Sequence, residues 1–113
     1  MVTIEQLKEY GADTEQGVAR CMGNEAFYLR MVGLVAKDEN FEKLKTALAR
    51  QDFDAGFEAA HALKGVLANL ALTPVLEPVS EMTELLRTRT EMDYGPLLAK
   101  AGQEWERLQV MLQ

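Results

Sequence analysis

Apolar side chains recur at three- and four-residue steps along most of this chain, which is the period of an α-helix with one buried face. β-branched residues do not alternate with polar residues over any long stretch, so the pattern does not predict strands. The chain has only three prolines, and few positions therefore interrupt the helical period. The pattern predicts an all-α protein.

Helix-capping residues divide the first part of the chain into short helices. A first helix ends at Gly11, because glycine readily takes the left-handed conformation that ends many helices. Asp13, with Gln16 three residues later, resembles a capping box and begins a second helix. Gly23 interrupts the pattern again, and Asn24 is placed to cap a third helix.

The middle of the chain predicts two further helices. The first of them closes near Gln51. The second begins at a cap on Asp52 or Asp54 and runs to about Leu70. The local sequence does not choose between the two aspartates.

Prolines mark the starts of the last two helices. Thr73 and Pro74 predict one start, with the threonine hydroxyl as the cap and the proline at the first helical position. Pro78 fits less well, so this helix either starts irregularly or becomes regular only near Pro78. A last helix follows residues 94–96. Together the elements predict an antiparallel four-helix bundle with short additional N-terminal helices, as one domain over residues 1–113.

Composition narrows the possible partners and location. The net charge is −6 and no cluster of lysine and arginine stands out, which argues against nucleic acid and anionic membranes as partners. Cys21 is the only cysteine, so an intramolecular disulfide is excluded, and Cys21 with His61 is too few ligands for zinc. We see no signal peptide and no apolar run of about 20 residues, so we expect a cytoplasmic protein without a membrane span.

The segment around the single histidine carries the candidate chemistry. On a helix its core face consists of Phe53, Gly56, Phe57, Ala60, Leu63, Leu67 and Leu70. His61, Lys64, Gly65 and Ala68 lie together on the flank of that face, related by three- and four-residue steps. The pattern therefore places an imidazole at the margin of the core, with a lysine and a glycine beside it.

Each residue of this flank suits phosphoryl transfer. A neutral imidazole is a good nucleophile near physiological pH, and it can hold a phosphoryl group through a P–N bond. Lys64 places an ammonium one turn away, where it can offset the phosphoryl charge. Gly65 destabilises a helix interior by about 1 kcal/mol relative to alanine, which indicates that another surface must approach closely there. The alternative is that Gly65 only allows tight helix packing.

Residues 60–65 (AHALKG) and 68–70 (ANL) resemble the signature of histidine-containing phosphotransfer (HPt) domains. The resemblance extends over nearly the whole chain and includes Asp52 before the site helix and residues 27–29. It implies a phosphorylatable histidine at His61, with Lys64 and Gly65 as supporting residues. It also implies receiver domains of response regulators or hybrid histidine kinases as partners, with Mg²⁺ on the receiver and no cofactor on this chain.

The chain departs from the family pattern at two positions. Family members usually have glycine where Ala71 stands, so the turn after the site helix is expected to be built differently, and Pro78 is unusual in the next helix. In related domains a polar residue on that neighbouring helix hydrogen-bonds the imidazole. Thr83 and Glu84 are both candidates here, and Arg87 is a candidate second cation.

Three functions compete at this stage. The first is a monomeric phosphorelay intermediate that shuttles a phosphoryl group between His61 and receiver aspartates without ATP-dependent kinase activity. The second is the phosphoacceptor region of a sensor kinase, where an acidic residue typically follows the histidine; here Ala62 follows it. The third is a helical adaptor module whose histidine is incidental.

Overall fold

The computed structural model of the chain describes residues 2–113, whose regular secondary structure is α-helical throughout. The helices are α1 (Ile4–Tyr10), α2 (Thr14–Arg20), α3 (Glu25–Val35), α4 (Asn40–Ala49), α5 (Phe53–Asn69), α6 (Thr73–Arg87) and α7 (Gly95–Leu112). The prediction of an all-α fold with short additional N-terminal helices is confirmed.

Helices α4 to α7 form the bundle. Neighbours in sequence pack against one another, with α5 between α4 and α6, and α6 between α5 and α7. Short connections make such neighbours antiparallel. Two ion pairs agree with the antiparallel order, since Asp54 near the start of α5 pairs with Arg89 just after α6, and Lys64 further along α5 pairs with Glu84 inside α6. The bundle closes where Phe41 of α4 stacks on Trp105 of α7, with ring centroids 5.1 Å apart.

Most of the predicted caps hold the helix ends in place. Gly11 ends α1 at φ 109°, and the Asp13 side chain accepts a hydrogen bond from the Gln16 amide at the start of α2. Asn24 caps α3 through the Phe27 amide. For α5 the structure selects Asp52, whose Oδ1 accepts from the Ala55 nitrogen at 3.1 Å.

The predicted cap of α6 at Thr73 is wrong. Leu72 occupies the cap position, Thr73 is already helical, and the Thr73 hydroxyl donates to the Ala71 carbonyl at 3.4 Å. Pro74 is therefore the second helical residue, not the first. The Leu72 side chain is completely buried, and its amide donates to the Leu67 carbonyl at 3.0 Å. Burial of an apolar side chain therefore sets where α6 starts.

Pro78 lies inside α6, which nevertheless runs continuously from Thr73 to Arg87. Its nitrogen cannot donate to the carbonyl four residues earlier, so one helical hydrogen bond is missing. The ring itself is buried, and its apolar contacts offset part of that loss. The helix therefore begins before Pro78 and includes it.

The turn between α5 and α6 passes through Ala71. This alanine has φ 54°, in the left-handed region where glycine is favoured. Its side chain is buried, and its carbonyl accepts from the Asp13 amide at 3.0 Å. The turn thus adopts a glycine-type conformation although the residue is alanine, at a cost of about 1 kcal/mol.

The N-terminal helices cover the C-terminal end of α5. Besides the Asp13 contact with Ala71, the Tyr28 hydroxyl donates to the Leu70 carbonyl at 2.9 Å, and the Arg20 guanidinium donates to the Ala68 carbonyl. The last carbonyls of a helix lack partners within it, and the donors from Asp13 and Tyr28 satisfy the Ala71 and Leu70 carbonyls, whereas the Ala68 carbonyl also accepts from the Ala71 amide. Burial raises the pKa of Tyr28 to about 12, which keeps its hydroxyl protonated as a donor.

The buried face of α5 differs in part from the predicted one. Gly56, Ala60, Leu63 and Leu67 are buried as predicted, and so is Leu70 just after the helix. Ala59 is also buried, which the periodicity did not predict. The predicted core residues Phe53 and Phe57 are only partly buried.

We predict that Gly17→Ala destabilises the fold by about 1–3 kcal/mol, because packed sites resist an added methyl group. A Cβ at Gly17 would clash with the Tyr28 ring and would lie 2.9 Å from the Leu70 carbonyl oxygen. Gly33→Ala is the matched control, since a Cβ there meets no described atom of the chain within 4 Å. The control is expected to stabilise by up to about 1 kcal/mol. Urea unfolding of both variants measures the difference, and equal effects would contradict the prediction.

Candidate functional site

His61 lies in the middle of α5 with its side chain exposed. Its neighbours Ala60 and Leu63 are completely buried, so the ring stands at the boundary between core and solvent. The imidazole stacks on Phe57 with ring centroids 5.4 Å apart and planes 14° from parallel. No hydrogen bond joins the imidazole to another group within residues 2–113, so both ring nitrogens are open to a reactant.

The Phe57 ring, on which the imidazole stacks, also contacts two cations. The guanidinium carbons of Arg87 and Arg89 lie 5.2 Å and 5.0 Å from the centre of its ring. Arg89 is held there by Asp54, with Nε 2.6 Å from Oδ1. Cations favour the faces of aromatic rings, so Phe57 contacts charged groups at the edge of the core instead of lying wholly within it.

Lys64 is held by Glu84 of α6. Its Nζ lies 3.2 Å from Glu84 Oε2, and the lysine side chain is about one-third exposed. Arg87 reaches the same carboxylate, with Nε 3.3 Å from Oε1 and Nη2 3.2 Å from Oε2. The hydrogen bonds from Arg87 and then from Lys64 lower the pKa of Glu84, so the carboxylate is ionised at neutral pH.

Gly65 faces open space. An added Cβ would meet no atom of residues 2–113 within 4 Å, so the alternative of tight helix packing at Gly65 is not supported. The glycine borders a groove of about 440 Å³ between α3 and α5, which Met31, Leu34 and Val66 help to line. Leu34 is half exposed. The surface next to His61 is therefore open, because no side chain projects from Gly65, and it is partly apolar.

Besides Ala68, which follows Gly65 on α5 itself, the structure brings together four of the five other residues that the sequence placed near His61. Lys64, Gly65, Glu84 and Arg87 lie on this surface. Thr83 does not, because it is completely buried and its hydroxyl donates to the Val79 carbonyl at 2.7 Å. Glu84 contacts the two cations, and no hydrogen bond joins it to the imidazole.

Two further contributors were missed at the sequence level. Phe57 was assigned to the core, although its spacing of four residues from His61 places it on the neighbouring turn of the same face. Arg89 lies beyond the end of α6, where no helical periodicity applies, and no local signal could have identified it.

Neither a metal cluster nor a membrane span is evident in the part of the chain that the structure describes. Residues 2–113 bring together no group of three or more histidine, cysteine, aspartate or glutamate side chains suited to hold a metal ion. None of their helices combines the length and apolar character that crossing a bilayer requires.

Comparison with known proteins identifies one family. The family model described as the Hpt domain matches residues 34–113, which include α4 to α7 and the residues Phe57, His61, Lys64, Gly65, Glu84, Arg87 and Arg89. Comparisons with curated proteins and with solved structures found no match.

We predict that the Glu84 carboxyl titrates below the ordinary glutamate range, and that Arg87→Gln raises its pKa more than Lys64→Gln does. A lowered folded-state pKa means that the pairing stabilises the fold above the unfolded pKa and is lost as pH falls through the folded value. Carbon NMR of the side-chain carboxyl, followed from pH 7 downward, measures this. An ordinary pKa, or one that neither substitution changes, would show that the pairs do not form in solution.

Proposed function

This chain belongs to the Hpt domain family, and we propose that it is a phosphorelay intermediate whose His61 accepts a phosphoryl group and passes it on. Hpt domains are phosphocarriers of two-component systems that interact with receiver domains. The observation that carries the assignment to His61 is its exposed imidazole, the only one in the chain, within the matched region. The supporting surface of Lys64 and Gly65 lies on the same helix.

The proposed reaction is a direct transfer from an aspartyl phosphate. The lone pair of the unprotonated ring nitrogen of His61 attacks phosphorus, and a P–N bond forms as the P–O bond to the aspartate breaks. The electron pair of that P–O bond remains on the aspartate as carboxylate. The other ring nitrogen keeps its proton, and the reverse reaction regenerates neutral His61. Such transfers depend mainly on positioning and charge stabilisation.

This chain would contribute the nucleophile, a cation and an accessible surface. Phe57 fixes the plane of the imidazole by stacking, so the ring is oriented before a partner arrives. Lys64 has a flexible stem and three donors, which suits a group that must follow the phosphoryl oxygens. Gly65 leaves room for the partner, since nothing stands above its Cα.

The proposed partners are receiver domains of response regulators or hybrid histidine kinases. We place Mg²⁺ on the receiver and no cofactor on this chain, and we propose no ATP-dependent kinase activity for it. We further propose a monomer, because a stable dimer over the α5 surface would cover His61. The competing adaptor function predicts no phosphoryl transfer to His61, so a transfer assay separates the two.

We predict that His61→Gln stays folded and accepts no phosphoryl group. The exposed side chain contributes little to the core, and no second imidazole can replace it. Circular dichroism together with transfer from a labelled receiver measures both properties. The wild-type label should be lost in acid and retained in alkali, as expected for phosphorus bonded to nitrogen. Phosphoryl labelling of the variant would contradict the assignment of His61 as the acceptor.

We predict that Gly65→Arg lowers the transfer rate by about 100-fold or more, since a displacement of about 1 Å from in-line geometry has an effect of that order. Gly65→Ala is expected to transfer nearly normally, because a methyl group there meets open space. Both variants are expected to melt close to the wild-type temperature.

Gly33→Arg serves as the control, because Gly33 is also open to solvent at its Cβ position but lies on α3. It is expected to transfer at the wild-type rate. Wild-type transfer by Gly65→Arg would place the docking surface elsewhere on the protein.

A further inference from the structure

Lys64, the cation closest in sequence to His61 on α5, is already engaged before any phosphoryl group arrives. Its ammonium lies 3.2 Å from Glu84, and Arg87 shares the same carboxylate. Because Lys64 is three residues after His61, both side chains leave the same side of α5. A phosphoryl group on His61 would therefore compete with Glu84 for the lysine.

The competition favours the phosphoryl group. A phosphoryl group on a side chain carries about −1.5 to −2 charges near neutral pH, whereas Glu84 carries one. The Lys64–Glu84 pair is partly exposed, with 32% and 55% of the two side chains accessible, so solvent weakens it and permits exchange. Glu84 would not lose all compensation on release, because Arg87 holds it through both Nε and Nη2.

From this arrangement we infer that Glu84 is a positioning residue that holds Lys64 away from His61 in the free protein and releases it to the phosphoryl group. The inference rests on the proposed function and deepens it. Glu84 thereby weakens the stabilisation of phosphorylated His61, because breaking the Lys64–Glu84 pair offsets part of the free energy that Lys64 gains from contact with the phosphoryl group. A phosphocarrier must transfer its phosphoryl group onward, and the competition between Glu84 and the phosphoryl group for Lys64 favours that transfer.

Other charged groups also face this site and bear on its titration. On α5 they are Asp54, Glu58 and Lys64; on α6, Glu84 and Arg87; after α6, Arg89; and bordering the groove before α4, Asp38. Asp54 and Arg89 pair with each other. Glu84 is the acidic group among them that contacts Lys64, so its charge is the one to remove.

The test titrates the phosphoryl group itself. The full chain is phosphorylated with phosphoramidate, a small donor that needs no receiver, and phosphorus NMR follows the phosphoryl signal against pH. In Glu84→Gln, Lys64 is free to stabilise the dianion. We expect the second proton dissociation constant of the phosphoryl group to rise about three- to tenfold over wild type. Glutamine keeps the shape of the side chain and removes its charge.

Two controls make the result specific. Glu81→Gln removes one charge three residues earlier on α6, where the structure of residues 2–113 shows no ion pair, and it should change the constant by less than about twofold. In a Lys64→Gln background, Glu84→Gln should also have less than about a twofold effect, since the two residues then no longer interact. No change in Glu84→Gln, or an equal change in both backgrounds, overturns the inference. Melting temperatures confirm that each variant is folded.

A receiver-transfer assay on the same proteins separates this inference from the proposed function. If the titration responds to Glu84 but no receiver exchanges with His61, the phosphorelay proposal fails and the role of Glu84 stands. If receivers exchange phosphoryl groups with His61 but Glu84→Gln leaves the phosphoryl dissociation constant unchanged, the phosphorelay proposal stands and this inference fails. A His61 that neither phosphoramidate nor a receiver labels overturns both.

Discussion

The burial of one face of α5 is the constraint on which the site depends. Ala60 and Leu63, on either side of His61 in sequence, are completely buried, and successive helical residues are rotated by about 100°. The helix cannot turn to bury His61 without exposing these core residues. Core packing therefore determines the direction of the imidazole, although no hydrogen bond within residues 2–113 holds the ring. Orientation by packing leaves both ring nitrogens free for chemistry.

Most of the charged groups around the imidazole are arranged in pairs. Lys64, Arg87 and Arg89 lie on or beside the site, and the carboxylates of Glu84 and Asp54 hold them. These pairs contain three cations and two anions, and with Asp38 and Glu58 the charged groups around the site sum to −1, within a chain whose overall charge is −6. The surface around the imidazole is therefore not strongly basic, and its cations are held by carboxylates. Since the pairs are exposed, they can exchange partners at little energetic cost.

Local chemistry accounts for what the sequence predicted well. Gly11, Asn24 and Asp52 end or cap helices as expected, because each acts within a few residues of its own position. The start of α6 was mispredicted since burial of Leu72 by the rest of the bundle outweighed the preference of Thr73 for a cap. Tertiary contacts of that kind leave no mark in local patterns.

In the candidate site, too, some features follow from the local sequence and others from tertiary contacts. The placement of Lys64 and Gly65 beside His61 follows from helical spacing alone. The contact between Lys64 and Glu84 depends on how α6 lies against α5, which sequence spacing does not determine. The position of Arg89 depends on a turn after α6, so it could be found only from the structure.

The N-terminal helices contribute to the site from a distance. Asp13, Arg20 and Tyr28 all lie before residue 34, where the family match begins, yet each donates to a carbonyl in residues 68–71 at the end of α5. Helix ends open more readily than helix centres, and an end whose carbonyls are satisfied opens less. Lys64 and Gly65 lie in the last two turns of α5. A firmly closed end therefore keeps these residues in helical register with His61, so α1 to α3 help to maintain a surface that α4 to α7 provide.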